Sequence, residues 1–362
     1  MLLERLRCDL GMEDGVHAWP QSYFSGREQA VRINGQNSKP QLLKTGMPQG
    51  SVLGPFGFPP YTSPLFDIIR GHGCEVHMYA DDTQIYLAFK DVDSQDSLTR
   101  LENCISDVRK WMKDNCLKLN DSKTEFIILT GKRSNAVLDI DSVTIGESHI
   151  LAVPSAKNIG AVIDSHLSME DQVNNVCKRC YHSMRQISQI RPYLTEDATA
   201  KLVNALVTSK LDCNNSLLIG IPDFLIKRLQ LIQNNAARLV TRTKPANITP
   251  VLKQLHWLPI SFRIEYKVLL LCYKCLNDLA PSYLSSMLVP YVPKKEGLRS
   301  AEKGELEKPV ARLKTYGDRA FSVKAPRLWN SLPQSLRECP SLECFKDKLK
   351  TYLFKRAFKH CN

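Results

Sequence analysis

Apolar residues recur along the chain with two different periods. Alternation of period two, the mark of a half-buried strand, runs through Val31 and Ile33 and through Val76, Met78 and Ala80. It resumes at Ile85, Leu87 and Phe89. The last two runs flank a pair of aspartates, which predicts a β-hairpin over 75–89. Further strand-like runs lie at Glu125–Leu129, Val143–Ile150 and Ile159–Ile163. Leu98, Leu101, Ile105, Val108 and Met112 have helical spacing and predict a helix over 94–116. From Ser168 onward only the helical period persists, with amphipathic stripes over 168–191, 196–212, 224–242, 260–277 and 343–358. Asp197 and Asp223 stand near two of these helix starts, where a carboxylate can cap free N–H groups. Residues 44–56, rich in Gly and Pro, read as a loop entering a helix, and the polar stretch 292–308 reads as a linker. The pattern predicts an α+β first part and an all-helical remainder, with boundaries near 165 and 245.

Charge changes the picture most in the second half. The 362 residues carry a net charge of +12. Residues 1–170 hold 17 Lys and Arg against 22 Asp and Glu, a net of −5, which leaves 32 against 15 and a net of +17 for residues 171–362. Such asymmetry points to a polyanion, nucleic acid first, although a helical bundle with a solvated basic surface carries the same signature. At 43% hydrophobic residues the chain can bury a sizeable core. No run reaches the ~18 apolar residues of a membrane span. Charges interrupt the apolar start Met1–Arg7, unlike a signal peptide. The 12 irregularly spaced cysteines then read as reduced thiols of an intracellular protein, in cytoplasm or nucleus and not secreted. Cys177 with Cys180 and Cys272 with Cys275 could in principle close a zinc site. Both pairs lie far apart in predicted helices, and the second sits among leucines as small buried residues do.

The strongest chemical feature is Tyr79-Ala80-Asp81-Asp82, set between the two alternating runs. A hairpin tip holds adjacent carboxylates rigidly and exposes them, and carboxylate oxygens are ligands for Mg²⁺. Two-metal nucleotidyl transfer uses such a cluster, one ion activating the attacking 3′ oxygen and the other stabilising the leaving pyrophosphate. Alone the pair is a weak signal, because Asp favours turns in any protein. Upstream lies Gly46-Met47-Pro48-Gln49-Gly50-Ser51-Val52-Leu53-Gly54-Pro55. Gly46 and Gly50 let backbone approach a bulky ligand, and Gln49 can hydrogen-bond a base or sugar edge.

This decamer followed by the Tyr-Ala-Asp-Asp hairpin resembles the palm of reverse transcriptases from non-LTR retrotransposons of the LINE type, jockey-like and chicken-repeat-like elements among them. The resemblance implies an RNA-directed DNA polymerase fold, in which an antiparallel palm sheet with helices is followed by a helical thumb and C-terminal region. It implies Mg²⁺ on the catalytic residues Asp81 and Asp82. It places Gly46, Pro48, Gln49, Gly50 and Tyr79 beside the nucleotide and template, and makes an RNA template and a DNA primer the partners. Protein partners are left unspecified. Trp111-Met112, Asn115, Leu117–Asn120 and Lys123-Thr124-Glu125 resemble the next family motif. Its lysine is proposed to protonate the leaving group, so Lys123 is a catalytic candidate that can also neutralise phosphate charge without proton transfer. Asn158–Asp164 resembles the primer-grip hairpin. Leu211–Asn214, Leu229-Gln230, Gln233–Arg238, His256–Pro259 with Arg263, Tyr316–Phe321 and Trp329–Pro333 resemble the helical blocks that follow. On this reading residues 1–165 are a partial palm, 166–245 a helical thumb-like region and 246–362 a basic helical C-terminal region.

Departures from the family pattern weigh against activity. The family's first metal-binding aspartate precedes the stretch matched by Leu2, Leu3 and Leu6 and has no counterpart in this sequence; Asp9 and Asp14 match nothing in that motif. The aromatic residue that screens out ribonucleotides, the fingers and the endonuclease also lie outside it. Adjacent prolines in Phe56–Tyr61 stand where the family has an apolar helix and predict its interruption. A two-carboxylate site holds Mg²⁺ weakly, so the expectation is a reverse transcriptase-like chain with little or no polymerase activity alone. The first competing reading is a non-catalytic nucleic-acid-binding module using the basic helical half; the second is a scaffold whose palm remnant is only a folding platform. For the module, Lys178, Arg179, Arg185, Arg191, Lys227 and Arg228 are candidate phosphate contacts, as are Lys346, Lys348, Lys350, Lys355, Arg356 and Lys359 in the tail. Each can equally be a solvated charge or, in the tail, a partner of the helix dipole. Trp257 and Trp329 could stack on bases, though burial is the commoner fate.

Overall fold

The computed structural model describes residues 2–43, 46, 50–131, 140–243, 247–292, 304–311, 313 and 316–359. Contacts divide the chain into two units, Met1–Pro154 and Ser155–Asn362.

In the first unit, α1 (Leu2–Cys8) and α2 (Asp14–Phe24) precede two nested antiparallel pairs, β1 (Glu28–Gln29) with β4 (Gln41–Leu42) and β2 (Arg32–Ile33) with β3 (Gln36–Asn37). Helices α3 (Gly54–Thr62) and α4 (Pro64–Gly71) lead into the hairpin β5 (Glu75–Tyr79) and β6 (Asp82–Tyr86). Helix α5 (Ser94–Asp114) and the hairpin β7 (Ser142–Ile145) and β8 (Ser148–Leu151) follow. The predicted hairpin and the predicted 94–116 helix both form, and one core explains why. Val76, Met78, Ile85 and Leu87 turn to the same side of the hairpin and pack with Leu65 and Ile69 of α4 and Leu101, Cys104 and Val108 of α5.

Three expectations in this unit change. The single strand expected at 143–150 is a hairpin, because Gly146 takes φ +63° and reverses the chain. Glu125–Leu129 forms no strand, and Phe126 contributes one isolated bridge to Ala152. The expected interruption at 56–61 is also absent, since Pro59 and Pro60 lie inside α3. Proline lacks an N–H, so backbone bonds are lost there and again at Pro64. Ser63 Oγ takes the place of the Pro64 N–H by donating to the Pro60 carbonyl at 3.0 Å, and Thr62 Oγ1 donates to the Phe58 and Pro59 carbonyls at 3.0 and 3.3 Å.

The second unit opens with the hairpin β9 (Ser155–Asn158) and β10 (Ala161–Asp164). Then come α6 (Glu170–Ile190), α7 (Glu196–Val203), α8 (Ser209–Asp212), α9 (Asp223–Thr241) and α10 (Thr249–Gln254). They are followed by α11 (Ile260–Leu276), α12 (Ser282–Ser285), α13 (Phe321–Asn330), α14 (Gln334–Arg337) and α15 (Leu342–Ala357). All five predicted stripes are helical, with a π-helical segment at Asn204–Thr208 joining α7 to α8. The strand expected from 159 begins at Ala161, because Ile159 and Gly160, both at positive φ, form the turn. The helices bury two apolar clusters. One holds Val176, Cys177, Cys180, Leu229 and Ile232, and the other Leu269, Cys272, Cys275, Trp329 and Phe345. The CxxC cysteines are therefore core residues in separate clusters, and burial pushes the Cys180 thiol up to about 11. Trp257 and Trp329 are buried as well.

Two caps differ from expectation. Thr195, not Asp197, caps α7 by accepting the Ala198 N–H at 3.2 Å, while Asp197 pairs with Lys201 at 2.7 Å. Asp223 is the first residue of α9, behind Pro222, and no side chain caps that helix. Of the expected 292–308 linker, residues 293–303 lie outside the described residues. Leu306 is a core residue whose backbone N–H and carbonyl both bond the Asn330 side chain, at 2.9 and 2.7 Å.

Polar bonds tie together the sequence blocks that the resemblance picked out. Arg263 pairs with Asp212 at 2.6 Å, Gln233 donates to the Leu258 carbonyl at 2.8 Å and Gln230 accepts the Ile260 N–H at 2.9 Å. Asn214 donates to the Ile159 carbonyl at 3.0 Å, and Arg319 to that of Leu167 at 2.9 Å. No helix among the described residues is long and apolar enough to cross a membrane.

Candidate active site

Hairpin register sets the place of the paired aspartates. Val76 lies opposite Ile85 and Met78 opposite Thr83, so the core-facing positions fix the pairing. Tyr79 then pairs with Asp82, and Ala80 and Asp81 form the two-residue turn. Ala80 has φ +54°, the sign that the first residue of a type II′ turn requires and that glycine usually supplies. Asp81 and Asp82 are both exposed, and neither carboxylate has a hydrogen-bond or ion-pair partner among the described residues.

Asp82 shares the face opposite the core with Glu75, His77, Tyr79, Gln84 and Tyr86. Tyr79 is 65% exposed. His77 stacks on Tyr86 with ring centroids 5.6 Å apart, and the Tyr86 hydroxyl lies 3.3 Å from His77 Nε2. Sequence reasoning named Tyr79 and the aspartates but passed over His77, Gln84 and Tyr86. The alternation that found the hairpin also puts these three on the Asp82 face.

The Gly-Pro loop is less fully placed. Pro48 and Gln49 lie outside the described residues. Gly46 and Gly50 have φ of +87° and +80°, and the space a Cβ would occupy is open at both. Backbone conformation alone therefore demands glycine there, without any ligand. Ser51 anchors the following turn by meeting the Tyr23 hydroxyl and accepting the Leu53 N–H at 3.1 Å.

Lys123 is exposed and ends the 3₁₀ turn Asp121–Lys123. It is not ion-paired with Asp81 or Asp82. Its turn is tied down through Asp121, whose two carboxylate oxygens accept from Arg109 Nη1 at 3.0 and 3.1 Å and from Ser148 Oγ at 3.4 Å. Lys118, Leu119, Asn120, Asp121 and Ser122 line an adjoining cavity of about 400 Å³. Trp111 and Asn115 of the same motif do local structural work. The Arg5 guanidinium lies over the Tyr61 and Trp111 rings, and the Asn115 carbonyl accepts from the Tyr61 hydroxyl at 2.5 Å.

Two exposed carboxylates without protein partners are hard oxygen donors of the kind Mg²⁺ takes, with water completing its shell. Among the described residues, no third His, Cys, Asp or Glu joins them in a cluster.

Comparison with known proteins follows the same lines. A reverse transcriptase (RNA-dependent DNA polymerase) family profile matches residues 9–163. The chain is 27% identical over 237 residues to "Probable RNA-directed DNA polymerase from transposon BS" of Drosophila melanogaster, covering 61% of this chain and 25% of that protein. It is 26% identical to "Probable RNA-directed DNA polymerase from transposon X-element" of the same fly, covering 61% and 24%. To "RNA-directed DNA polymerase from mobile element jockey" of Drosophila funebris it is 25% identical, covering 46% and 18%. The chain thus spans a quarter or less of the length of these relatives. Residues 9–163 match the reverse transcriptase family, and the chain is similar to the RNA-directed DNA polymerases of LINE-type, non-LTR retrotransposons.

Proposed function

We propose that Asp81 and Asp82 are metal-binding carboxylates of an RNA-directed DNA polymerase palm, and that this chain by itself copies RNA poorly or not at all. One observation carries the reading: an unpartnered, exposed carboxylate pair stands at the tip of a hairpin that the core locks in register. Asp81 and Asp82 would hold Mg²⁺, which supplies electrostatic stabilisation to the transferring phosphate when bound. Tyr79, Gly46, Pro48, Gln49 and Gly50 flank the nucleotide and template, and Lys123 neutralises phosphate charge. RNA template and DNA primer are the partners. Residues 1–165 act as a partial palm, 166–245 as a thumb-like region and 246–362 as a basic C-terminal region, in an intracellular setting. Weak activity follows from the donor set, because two carboxylates stabilise the phosphate less than a full two-metal cluster does.

Manganese, read by electron paramagnetic resonance, substitutes for magnesium in the test. Weak Mn²⁺ binding by the whole chain should vanish in Asp81→Asn/Asp82→Asn. Equal binding by the variant would remove the metal assignment. Primer extension on an RNA template should stay at background, and extension abolished by the same double substitution would overturn the expectation of inactivity.

A further inference from the structure

Helices α4 and α5 enclose a groove that the aspartate hairpin does not use. On α5, Asp107, Lys110, Trp111 and Asp114 recur at i, i+3, i+4 and i+7, so they fall within about 100° of one another round the helix. That stripe lies about a quarter turn from Leu101, Cys104 and Val108, which face the core. Asp67, Ile68 and His72 at the end of α4 complete the walls, and the space between them is about 500 Å³. His72 Nε2 lies 2.9 Å from Asp107 Oδ2 and ties the two helices across the groove.

Charge and shape narrow the choice of occupant. The carboxylates of Asp67 and Asp114 have no hydrogen-bond or ion-pair partner among the described residues, and Lys110 pairs with neither Asp107 nor Asp114. Residues 1–170 carry a net charge of −5, so phosphates are repelled from this region. A divalent ion lacks a ligand set, since no three His, Cys, Asp or Glu side chains cluster among the described residues. Trp111 adds an aromatic wall. Its ring already accepts one guanidinium, that of Arg5 at 5.4 Å from the ring centroid, and Arg5 does not line the groove. A further guanidinium suits both features, because it stacks on aromatic rings and forks onto carboxylates, whereas an ammonium group is a strongly hydrated point charge.

We propose that this groove docks an arginine-bearing segment of a partner protein. Asp67 and Asp114 pair with its guanidinium groups, and Trp111 and Ile68 pack against the side-chain stem. The His72–Asp107 pair sets the spacing of the walls, and Lys110 limits affinity by repelling the same cation. The inference goes beyond the polymerase reading and does not depend on Asp81, Asp82 or Mg²⁺.

The test is fluorescence anisotropy of the full chain with a labelled octapeptide of alternating Gly and Arg. The basic second half repels this probe, so binding reports on the first unit. Each exposed ion pair changes affinity by roughly two- to fivefold. Asp67→Asn/Asp114→Asn, at two exposed positions, should therefore weaken binding about tenfold. Lys110→Ala should strengthen it about threefold, a gain that misfolding cannot imitate. Asp91→Asn/Asp93→Asn removes the same charge more than a Debye length away along α5 and should change affinity by less than about twofold. The matching Gly-Lys peptide should bind several-fold more weakly than the Gly-Arg peptide. Failure of the parent to bind the Gly-Arg peptide overturns the proposal, as does equal weakening in the two double variants. Equal binding of the Gly-Lys peptide overturns the assignment to arginine. Sedimentation velocity completes the test: self-association of the parent that is lost in Asp67→Asn/Asp114→Asn overturns the partner protein in favour of a second copy of this chain.

Discussion

Arg109 and Asp121 join three pieces of the first unit at one point. Arg109 Nη1, projecting from α5, donates to both oxygens of Asp121 at 3.1 and 3.0 Å and to the Ile145 carbonyl at 3.3 Å. The turn that ends in Lys123 is thereby fixed to α5 and to the β7–β8 hairpin. Gly146 completes the joint, since a Cβ there would stand 3.0 Å from the same nitrogen. Both partners are partly exposed, so the pair itself contributes about 1 kcal/mol. Gly146→Ala should cost more, roughly 1–2 kcal/mol, from its positive φ and the crowding of Arg109 together. In an Arg109→Ala background the crowding disappears and only the backbone cost stays. Urea denaturation of the double-mutant cycle measures this, and strictly additive effects would show that Gly146 and Arg109 do not interact.

The tip of the β5–β6 hairpin stores backbone strain next to the aspartates. Ala80 holds φ +54°, which costs a residue with a Cβ roughly 1 kcal/mol. Ala80→Gly should raise stability, by less than that amount because glycine also gains freedom in the unfolded chain. Since strain at such sites can serve positioning, the same variant should bind Mn²⁺ more weakly despite its higher melting temperature. A lowered melting temperature would mean that the turn does not demand positive φ.

The contrast between these two joints indicates what the sequence could reveal. The hairpin, with Tyr79 and both aspartates at its tip, was legible because alternation reports side-chain direction directly. Alternation carries no information about where a strand folds back, so 143–150 read as one strand until Gly146 turned it into two. Proline rules misled at Pro59 and Pro60, which α3 carries in its interior, and the Ser63 hydroxyl stands in for the missing N–H of Pro64 at the Pro60 carbonyl. The five long helices of the second unit were readable because their apolar stripes persist over many turns. The tether from Arg109 to the Lys123 turn was not readable, because pairing depends on distance in space.

Arg191 illustrates the same limit for charge. In the sequence it ranks with Lys178 and Arg185 as a phosphate contact. In the fold it is buried, and its guanidinium donates to the carbonyls of Leu239, Val240 and Leu194 at 2.9, 2.6 and 2.7 Å. Two of these belong to the last turn of α9, whose carbonyls lack helical partners. Arg191→Met takes the side-chain donor from one buried and two partly buried carbonyls and should destabilise the chain by about 2 kcal/mol. Arg185→Ala, at an exposed position, should stay within about 0.5 kcal/mol of the parent. Chemical denaturation compares the two, and similar midpoints would return Arg191 to the list of surface charges.

Asp164 gives the second unit a defined dependence on pH. Burial by itself would raise its carboxyl, but donors from Ser168, Met169 and His166 outweigh it and hold the group below its ordinary value. The Met169 and Ser168 N–H groups lie 2.7 and 2.8 Å from its two oxygens. A carboxylate whose pKa is lower folded than unfolded stabilises the fold fully above the unfolded value, near 3.9. That contribution fades as pH falls through the depressed folded value. Asp164→Asn should therefore cost about 2 kcal/mol at pH 7, and the gap to the parent should narrow only below about pH 4. Urea midpoints measured from pH 7 down to pH 3 follow both proteins. A gap that stays constant across that range would mean that the charge on Asp164 is not what secures the turn into α6.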